Sequence, residues 1–427
     1  MHELIRGSAL SLGLKVSAAL LAFLLNLIIA RTLDLNQMGL FFIALMIITF
    51  AHTFARVGQE GILLREMARY GQSEQSTLAA GQLKQSIKMA TIAALLIVVA
   101  LYIFAPHISQ LLGEPTLASP LRIFAFATLP LALTILFAEA LKGQKRVTES
   151  EITLGIILPA ATILPLLIVG SGFQLQQIIW LYLSAAFVAL SFGYWRLRRS
   201  GITTIEATRR PSSLRPGISL LLANCAALLI IWSPTLILGL IESNSAVAQY
   251  NIAARIALLA SFVLMAINTI STPRFAEAYE KSNHQAARNI AIDSATLATL
   301  ATLPIILVLI LFAEPLLSLF GEAYAQASWL LIILAIAQLA NALTGPVGQM
   351  LVMSGHNRQF RNCMLAGAAI TLLLNITLIP AYSAIGAAIA TLLGIIAYNL
   401  LLLYQVHKKL RILVLPRLKI GSLIPRP

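Results

Sequence analysis

The sequence is short of charge, of cysteine and of catalytic motifs, and each shortage excludes something. Only 11% of its 427 residues are charged, while 59% are hydrophobic. A soluble chain could not hide that much apolar surface, so soluble α/β domains are excluded. The two cysteines, Cys225 and Cys363, both fall inside apolar segments. They read as small buried hydrophobes, not as a disulfide, a metal site or a nucleophile. There is no Walker A loop, no HExxH, no CxxC pair and no GxSxG. An enzyme is therefore not expected, nor ATP hydrolysis by the chain itself, nor a cofactor. No small-x-small cleavage site follows the first apolar run, which is too long for a signal-peptide core and reads as a retained span.

What is present is long hydrophobic runs, twelve of them: Leu10–Ala30, Met38–Ala55, Ala90–Ala105, Leu121–Leu141, Leu154–Val169, Ile178–Tyr194, Ile218–Leu240, Ala248–Ile270, Leu297–Phe312, Trp329–Met353, Cys363–Ile379 and Ala384–Val406. In lipid, backbone polar groups must pair within the segment, so each run predicts a spanning helix. The expected fold is an all-α polytopic membrane protein of twelve helices. Of the 30 Lys and Arg residues, 26 lie at the two ends of the chain or in every second connector. The other connectors hold only Arg31. Short basic loops stay in the cytoplasm, which predicts that both termini are cytoplasmic. The same pattern accounts for the net charge of +14. The basic residues flank the spans and form no single block, so nucleic acid is not an expected partner.

The connector Trp195–Gly217 divides the chain near its middle, with six runs on each side. It carries Arg196, Arg198, Arg199, Arg209, Arg210 and Arg215. The expected halves are residues 1–205 and 206–427. Gly143-Gln144-Lys145-Arg146 corresponds to Gly355-His356-Asn357-Arg358, 212 residues later. Gly39-Leu40-Phe41-Phe42 corresponds to Gln249-Tyr250-Asn251-Ile252 at an offset of 210, and Tyr70 to Tyr279 at 209. Three matches within three residues of one offset point to an internal duplication. Two six-helix halves of like orientation would be related by an axis along the membrane normal, around a central cavity that carries the substrate. Such an architecture belongs to transporters that work by alternating access.

Charges inside spans cost about 2.5–3.5 kcal/mol each on insertion scales and usually face an interior or a wet cavity. Lys15, Arg122 and Arg255 are the basic residues within runs. Lys15 reads equally as a side chain snorkelling to the headgroups or as part of a cavity. Arg122, at the edge of its run, reads as an interfacial anchor. Arg255 lies deeper and reads as cavity lining, or as half of a buried pair, with Asn251 one turn before it. His52, Arg56 and Glu60, spaced by four, predict one polar stripe: an Arg56–Glu60 ion pair, or a mouth that attracts an anion. Glu139 and Lys142 predict an interfacial pair. Pro234 is expected to interrupt the seventh run, and Gly345-Pro346 the tenth, as hinges or as structural kinks.

The stretch Leu25-Asn26-Leu27-Ile28-Ile29-Ala30-Arg31, followed by Met38-Gly39-Leu40-Phe41, resembles the start of polysaccharide flippases of the multidrug/oligosaccharidyl-lipid/polysaccharide exporter superfamily. Asp34 stands where that family usually has a Gly. Gln249 through Ala257, with Arg255, resembles the family's eighth helix, and Gly355 through Ala390, with Pro380, Tyr382 and Gly386, its last two. The resemblance implies a flippase for an undecaprenyl-pyrophosphate-linked oligosaccharide, such as an O-antigen repeat unit of lipopolysaccharide, in a bacterial inner membrane. It implies a cationic site at Lys15, Arg56 and Arg255, to which His52 and Asn251 are added by position. Implied partners are the polyprenyl-pyrophosphate-linked saccharide, membrane lipids and other polysaccharide-assembly proteins. The rival on the same fold is a multidrug or cation antiporter. It would need an embedded carboxylate, and the first and seventh runs contain no Asp or Glu. A membrane polymerase would need a large extracytoplasmic loop, and none is predicted.

Overall fold

The computed structural model describes residues 2–70, 76–170, 172–204, 214–281 and 283–416. Among them there is no strand, and the chain is a succession of helices. These are α1 (His2–Thr32), α2 (Leu35–Arg56), α3 (Gln59–Tyr70), α4 (Ser76–Leu111), α5 (Ala118–Ala125), α6 (Thr128–Gly143), α7 (Val147–Gly155), α8 (Ile157–Val169) and α9 (Leu175–Arg198). They continue as α10 (Leu214–Ile241), α11 (Asn244–Ala257), α12 (Ser261–Glu280), α13 (His284–Leu311), α14 (Ala313–Ser318), α15 (Glu322–Ala325), α16 (Ser328–Thr344), α17 (Val347–Met353) and α18 (Asn357–Leu410).

Every apolar run read from the sequence lies on a helix, and the chain is a multi-pass membrane protein. Among the described residues, eight helices are long and apolar enough to cross a bilayer, or eleven if each sharply bent pair is one span. The expected twelve depends on α18. As one rod its 54 residues would extend about 80 Å, far beyond a bilayer. It bends at Ser383, whose φ of 50° and ψ of −133° are not helical. Helix ends also run past the apolar runs: α4 begins at Ser76 and α13 at His284. Hydropathy marks only what sits in hydrocarbon, whereas backbone hydrogen bonding continues through the charged interface.

The bends have a common cause. Proline at position i removes the hydrogen bond to the carbonyl at i−4. Pro130 follows the 44° break between α5 and α6, and Pro159 the 40° break between α7 and α8. Each lies four residues beyond a carbonyl at its break, Phe126 and Gly155. The expected break at Gly345-Pro346 is present, a 41° bend between α16 and α17 with φ of 64° at Gly345. Pro234 behaves otherwise: α10 runs continuously through it, so the expected interruption is corrected. Pro106 likewise lies inside α4, and the carbonyl it frees, that of Tyr102, accepts a hydrogen bond from Arg122 Nε at 3.3 Å. The Arg122 guanidinium also stacks on the Tyr102 ring, 5.3 Å from its centre. Arg122 thus repairs a proline break.

By packing, the chain divides into two compact units, Met1–Leu228 with Gly239–Ala248, and Leu229–Leu238 with Gln249–Pro427. The halves proposed from the sequence, 1–205 and 206–427, follow the repeat. The packed units differ from them chiefly in the assignment of α10. In the first unit α2 is buried along most of its length and capped by Asp34, whose carboxylate accepts from the Gln37 backbone at 2.7 Å. A Gly, which the family usually has there, could not supply that oxygen. Gly39 is pressed on the Asn244 carbonyl, which any Cβ would overlap. In the second unit Gly386 is pressed in the same way on the Leu378 carbonyl across the Ser383 bend. Both glycines belong to the motifs that carried the sequence resemblance, and close backbone approach is their physical content.

Candidate functional site

The first unit gathers a polar cluster where α2 ends. Val57 and Gly58 have φ of 51° and 69° and terminate the helix after Arg56, so Glu60 sits in the first turn of α3. The predicted single stripe is thus a helix–turn–helix corner. The predicted ion pair forms across it, Arg56 Nε to Glu60 Oε1 at 3.5 Å. Arg56 is 7% exposed. Its other nitrogens meet His52 Nδ1 at 2.8 Å and Thr53 Oγ1 at 3.2 Å. A guanidinium has donors only, so His52 Nδ1 accepts. Asn224 of α10, which the sequence reading missed, donates to Glu60 at 2.6 Å. Beside this corner Gln82 donates to Gln59 at 3.1 Å and Ser86 donates to Gln59 at 3.2 Å, all three buried.

Lys15 faces an acidic partner that its own helix does not reveal. Its ammonium lies 3.8 Å from Glu151 Oε1 of α7. Glu139 and Lys142 pair at 3.6 Å, as expected. A further cluster escaped the sequence reading: Glu149 lies between Arg146, at 2.7 Å, and Arg196. Two of the three basic residues expected to line a cationic site, Lys15 and Arg56, therefore carry a carboxylate neighbour each.

Arg255 is placed differently. In the second unit its guanidinium stands over the Trp232 ring, 5.6 Å from its centre. Trp232, Ser233, Pro234 and Thr235 are all buried. Thr235 donates to Asn251 at 3.1 Å, and Asn375 of α18 donates to Ser233 at 3.0 Å. The sequence reading had placed Asn251 and Arg255 on one face of one helix. The structure adds the facing Trp-Ser-Pro-Thr step of α10. Near the Gly345-Pro346 break, Thr344 donates to Asn399 at 3.0 Å and Asn399 to Asn341 at 3.2 Å. The signal for Asn224, Ser233, Thr235, Asn375 and Asn399 was available: each is a polar side chain inside an apolar run. What was lacking was their facing partners, which are remote in sequence. Arg209 and Arg210, singled out in the central connector, lie outside the described residues.

The family described as "Polysaccharide biosynthesis protein" matches residues 4–279, well over half of the chain. The chain belongs to that family. A second family, MatE, matches residues 220–380. Among curated proteins the family member is similar to the probable low-salt glycan biosynthesis flippase Agl15 of Haloferax volcanii, 23% identical over 92% of this chain and 81% of that one. It is also similar to the probable flippase AglR of the same organism, 24% identical over 99% and 87%. Among solved structures, the lipid II flippase MurJ in an inward closed conformation matches with a TM-score of 0.74 at 15% identity, over 92% of this chain and 86% of that chain. An inward-facing multidrug resistance MATE family transporter of the MOP superfamily also reaches 0.74, at 16% identity over 95% and 98%. These likenesses give the fold, and the resemblance read from the sequence holds.

Proposed function

We propose that this membrane protein is a flippase for a lipid-linked glycan and not an enzyme. The observation that carries the reading is that relatives named as flippases align with 92% and 99% of the chain. The finer proposal is an undecaprenyl-pyrophosphate-linked oligosaccharide such as an O-antigen repeat unit, moved from the inner to the outer leaflet of the cytoplasmic membrane by alternating access. Both termini would then be cytoplasmic. The expectation of a bacterial membrane draws no support from these relatives, which are archaeal.

The chemistry is consistent with that cargo. A charged head cannot cross hydrocarbon unaided, whereas its lipid tail needs no help. Pyrophosphate oxygens are acceptors for guanidinium and ammonium groups. Arg255 would bind the head, with the Trp232 ring beneath its guanidinium helping to position it. Asn251 lies one turn before Arg255 and would add a polar group beside it. Lys15 and Arg56, the latter with His52 as a polar neighbour, would exchange Glu151 and Glu60 for the arriving anion. Such exchange keeps the site neutral when empty and lowers the cost of resetting it. Gly345 and Pro346, at the 41° bend between α16 and α17, would let that helix pair flex. With the cell interior negative, outward movement of an anion gains about 2.3 kcal/mol per charge per 100 mV.

The rival reading, a cation antiporter, draws on the MatE match. The absence of Asp and Glu from Gly13–Thr32 and Leu220–Ile241 opposes it. The test is export of lipid-linked sugar in cells carrying Arg255→Ala or Arg255→Lys. The flippase reading expects loss in the first and partial retention in the second. Full export by Arg255→Ala would remove Arg255 from the site.

A further inference from the structure

In the second unit, α12 and α13 border an open cavity of about 230 Å³. Each helix lines it with one stripe: Ile270, Ser271 and Arg274 from α12, and Asp293, Ser294 and Leu297 from α13. The function proposed above uses none of these residues. Arg274 and Asp293 are exposed, and neither has an ion-pair or hydrogen-bond partner among the described residues. Opposite charges on adjacent helices that share a cavity would be expected to pair, yet these two do not. Ser271 is 5% exposed, and its hydroxyl has no partner. Three polar groups, one cationic, one anionic and one neutral, thus await a ligand in one cavity.

The ligand's class follows from what borders the cavity. Beyond Leu297, α13 continues as an exposed apolar face through Leu303, Leu307, Val308 and Leu311. Exposed apolar side chains on a helix of spanning length are the surface that acyl chains cover. The cavity lies at the other end of that face. Asp293 is nine residues from the start of α13, and Arg274 six from the end of α12, beside the short connector at 281–283. That is headgroup depth, with acyl-chain surface running away from it. The charges call for a head with an anionic and a cationic part. Phosphate pairs with guanidinium, and a primary ammonium, with three donors, pairs with carboxylate and serine oxygen.

We infer that this cavity binds the headgroup of a zwitterionic aminophospholipid, its phosphate on Arg274 and its ammonium on Asp293 and Ser271. The site shares no residue with those proposed to carry the glycan and would hold a resident lipid at the α12–α13 hairpin.

The test uses the full chain, purified and exchanged into nanodiscs of phosphatidylethanolamine with phosphatidylglycerol, or of phosphatidylcholine with phosphatidylglycerol. Lipid retained on the protein is counted by native mass spectrometry. Wild type is expected to retain phosphatidylethanolamine over phosphatidylcholine, because a quaternary ammonium has no N–H to donate. Asp293→Asn and Arg274→Gln should each lower that retention about tenfold. Lys281→Gln should leave it unchanged, since Lys281 lies outside the cavity and pairs with Glu277 at 2.6 Å. Retention unaltered in both cavity variants would overturn the site. So would equal retention of phosphatidylcholine, or release of the bound lipid by soluble glycan phosphate. If a variant fails to fold, cross-linking of a photoactivatable phosphatidylethanolamine to wild type serves instead, with label expected on α12 or α13 and label elsewhere counting against the site. Loss of glycan transport in Arg255→Ala with lipid retention intact would separate this site from the flippase reading.

Discussion

Arg56 carries three contacts on one guanidinium, and the balance between them decides what its removal does. Its partner Glu60 has only 14% of its side-chain surface exposed. Removing one member of a buried pair leaves the other charge uncompensated, at a cost of about 3–5 kcal/mol. Arg56→Ala should therefore lower thermal stability, and Arg56→Ala with Glu60→Ala should recover most of it, as a double-mutant cycle in thermal unfolding would show. Export should stay low in the double variant, because the cation that meets the pyrophosphate is still missing. Recovered export would make Arg56 a structural residue only. Arg122 offers a contrast. Its value lies in the Tyr102 carbonyl that Pro106 leaves open. Arg122→Leu should destabilise by about 1 kcal/mol, the loss of one hydrogen bond to an exposed carbonyl. Arg122→Leu in a Pro106→Ala background should cost much less, since the helix then bonds that carbonyl itself.

At the level of the helices, the apolar runs were legible because hydrocarbon imposes a length and an internal hydrogen-bonding rule on every span. The bends were legible only in part. Gly345-Pro346 was read correctly because a glycine beside a proline removes both a side-chain restraint and a hydrogen bond. Pro234 has the same chemistry, yet α10 continues through it. The residues flanking it are held by other helices, Thr235 on Asn251 and Ser233 on Asn375, and a single sequence does not display those partners. Lys15 makes the same point: Glu151 sits on another helix, so a linear reading weighs only lipid or water as its surroundings. Close approach makes a sharper prediction. A Cβ on Gly39 would overlap the backbone carbonyl of Asn244, which cannot step aside as a side-chain tip could. Gly39→Val should cost about 1–3 kcal/mol or more, read as reduced yield of folded protein in detergent. Gly13→Ala, on α1 with nothing within 4 Å and no left-handed φ, is a control for space alone and should be far milder.

On the scale of the whole molecule, the fold and its family were legible from run lengths, the sidedness of Lys and Arg and a few motif residues. The proposed site rests on residue types: Lys15, His52, Arg56, Asn251 and Arg255 stand out because polarity inside a span needs a reason. Glu60 was legible as a partner of Arg56, whereas Glu151 beside Lys15 and Asn224 beside Glu60 were not, and these neighbours support the proposal that carboxylates hold the cations until an anion arrives. The charge pattern also makes a topological prediction. A cysteine replacing Gly172 should react with a membrane-impermeant reagent added outside intact cells, whereas one replacing Arg209 should react only after permeabilisation. Reaction of both from one side would refute the alternating arrangement of connectors.

The central claim, that embedded basic residues carry an anionic lipid head across, is tested most directly by transport in vesicles. The purified chain is reconstituted with a fluorescent polyprenyl-pyrophosphate oligosaccharide, and the label reaching the opposite leaflet is followed with an impermeant quencher. The account predicts rapid translocation by wild type and a rate at least about tenfold lower for Arg255→Ala, the loss of one charge-assisted contact to the moving head. Equal rates for the two proteins, or no translocation above that of empty vesicles, would contradict it.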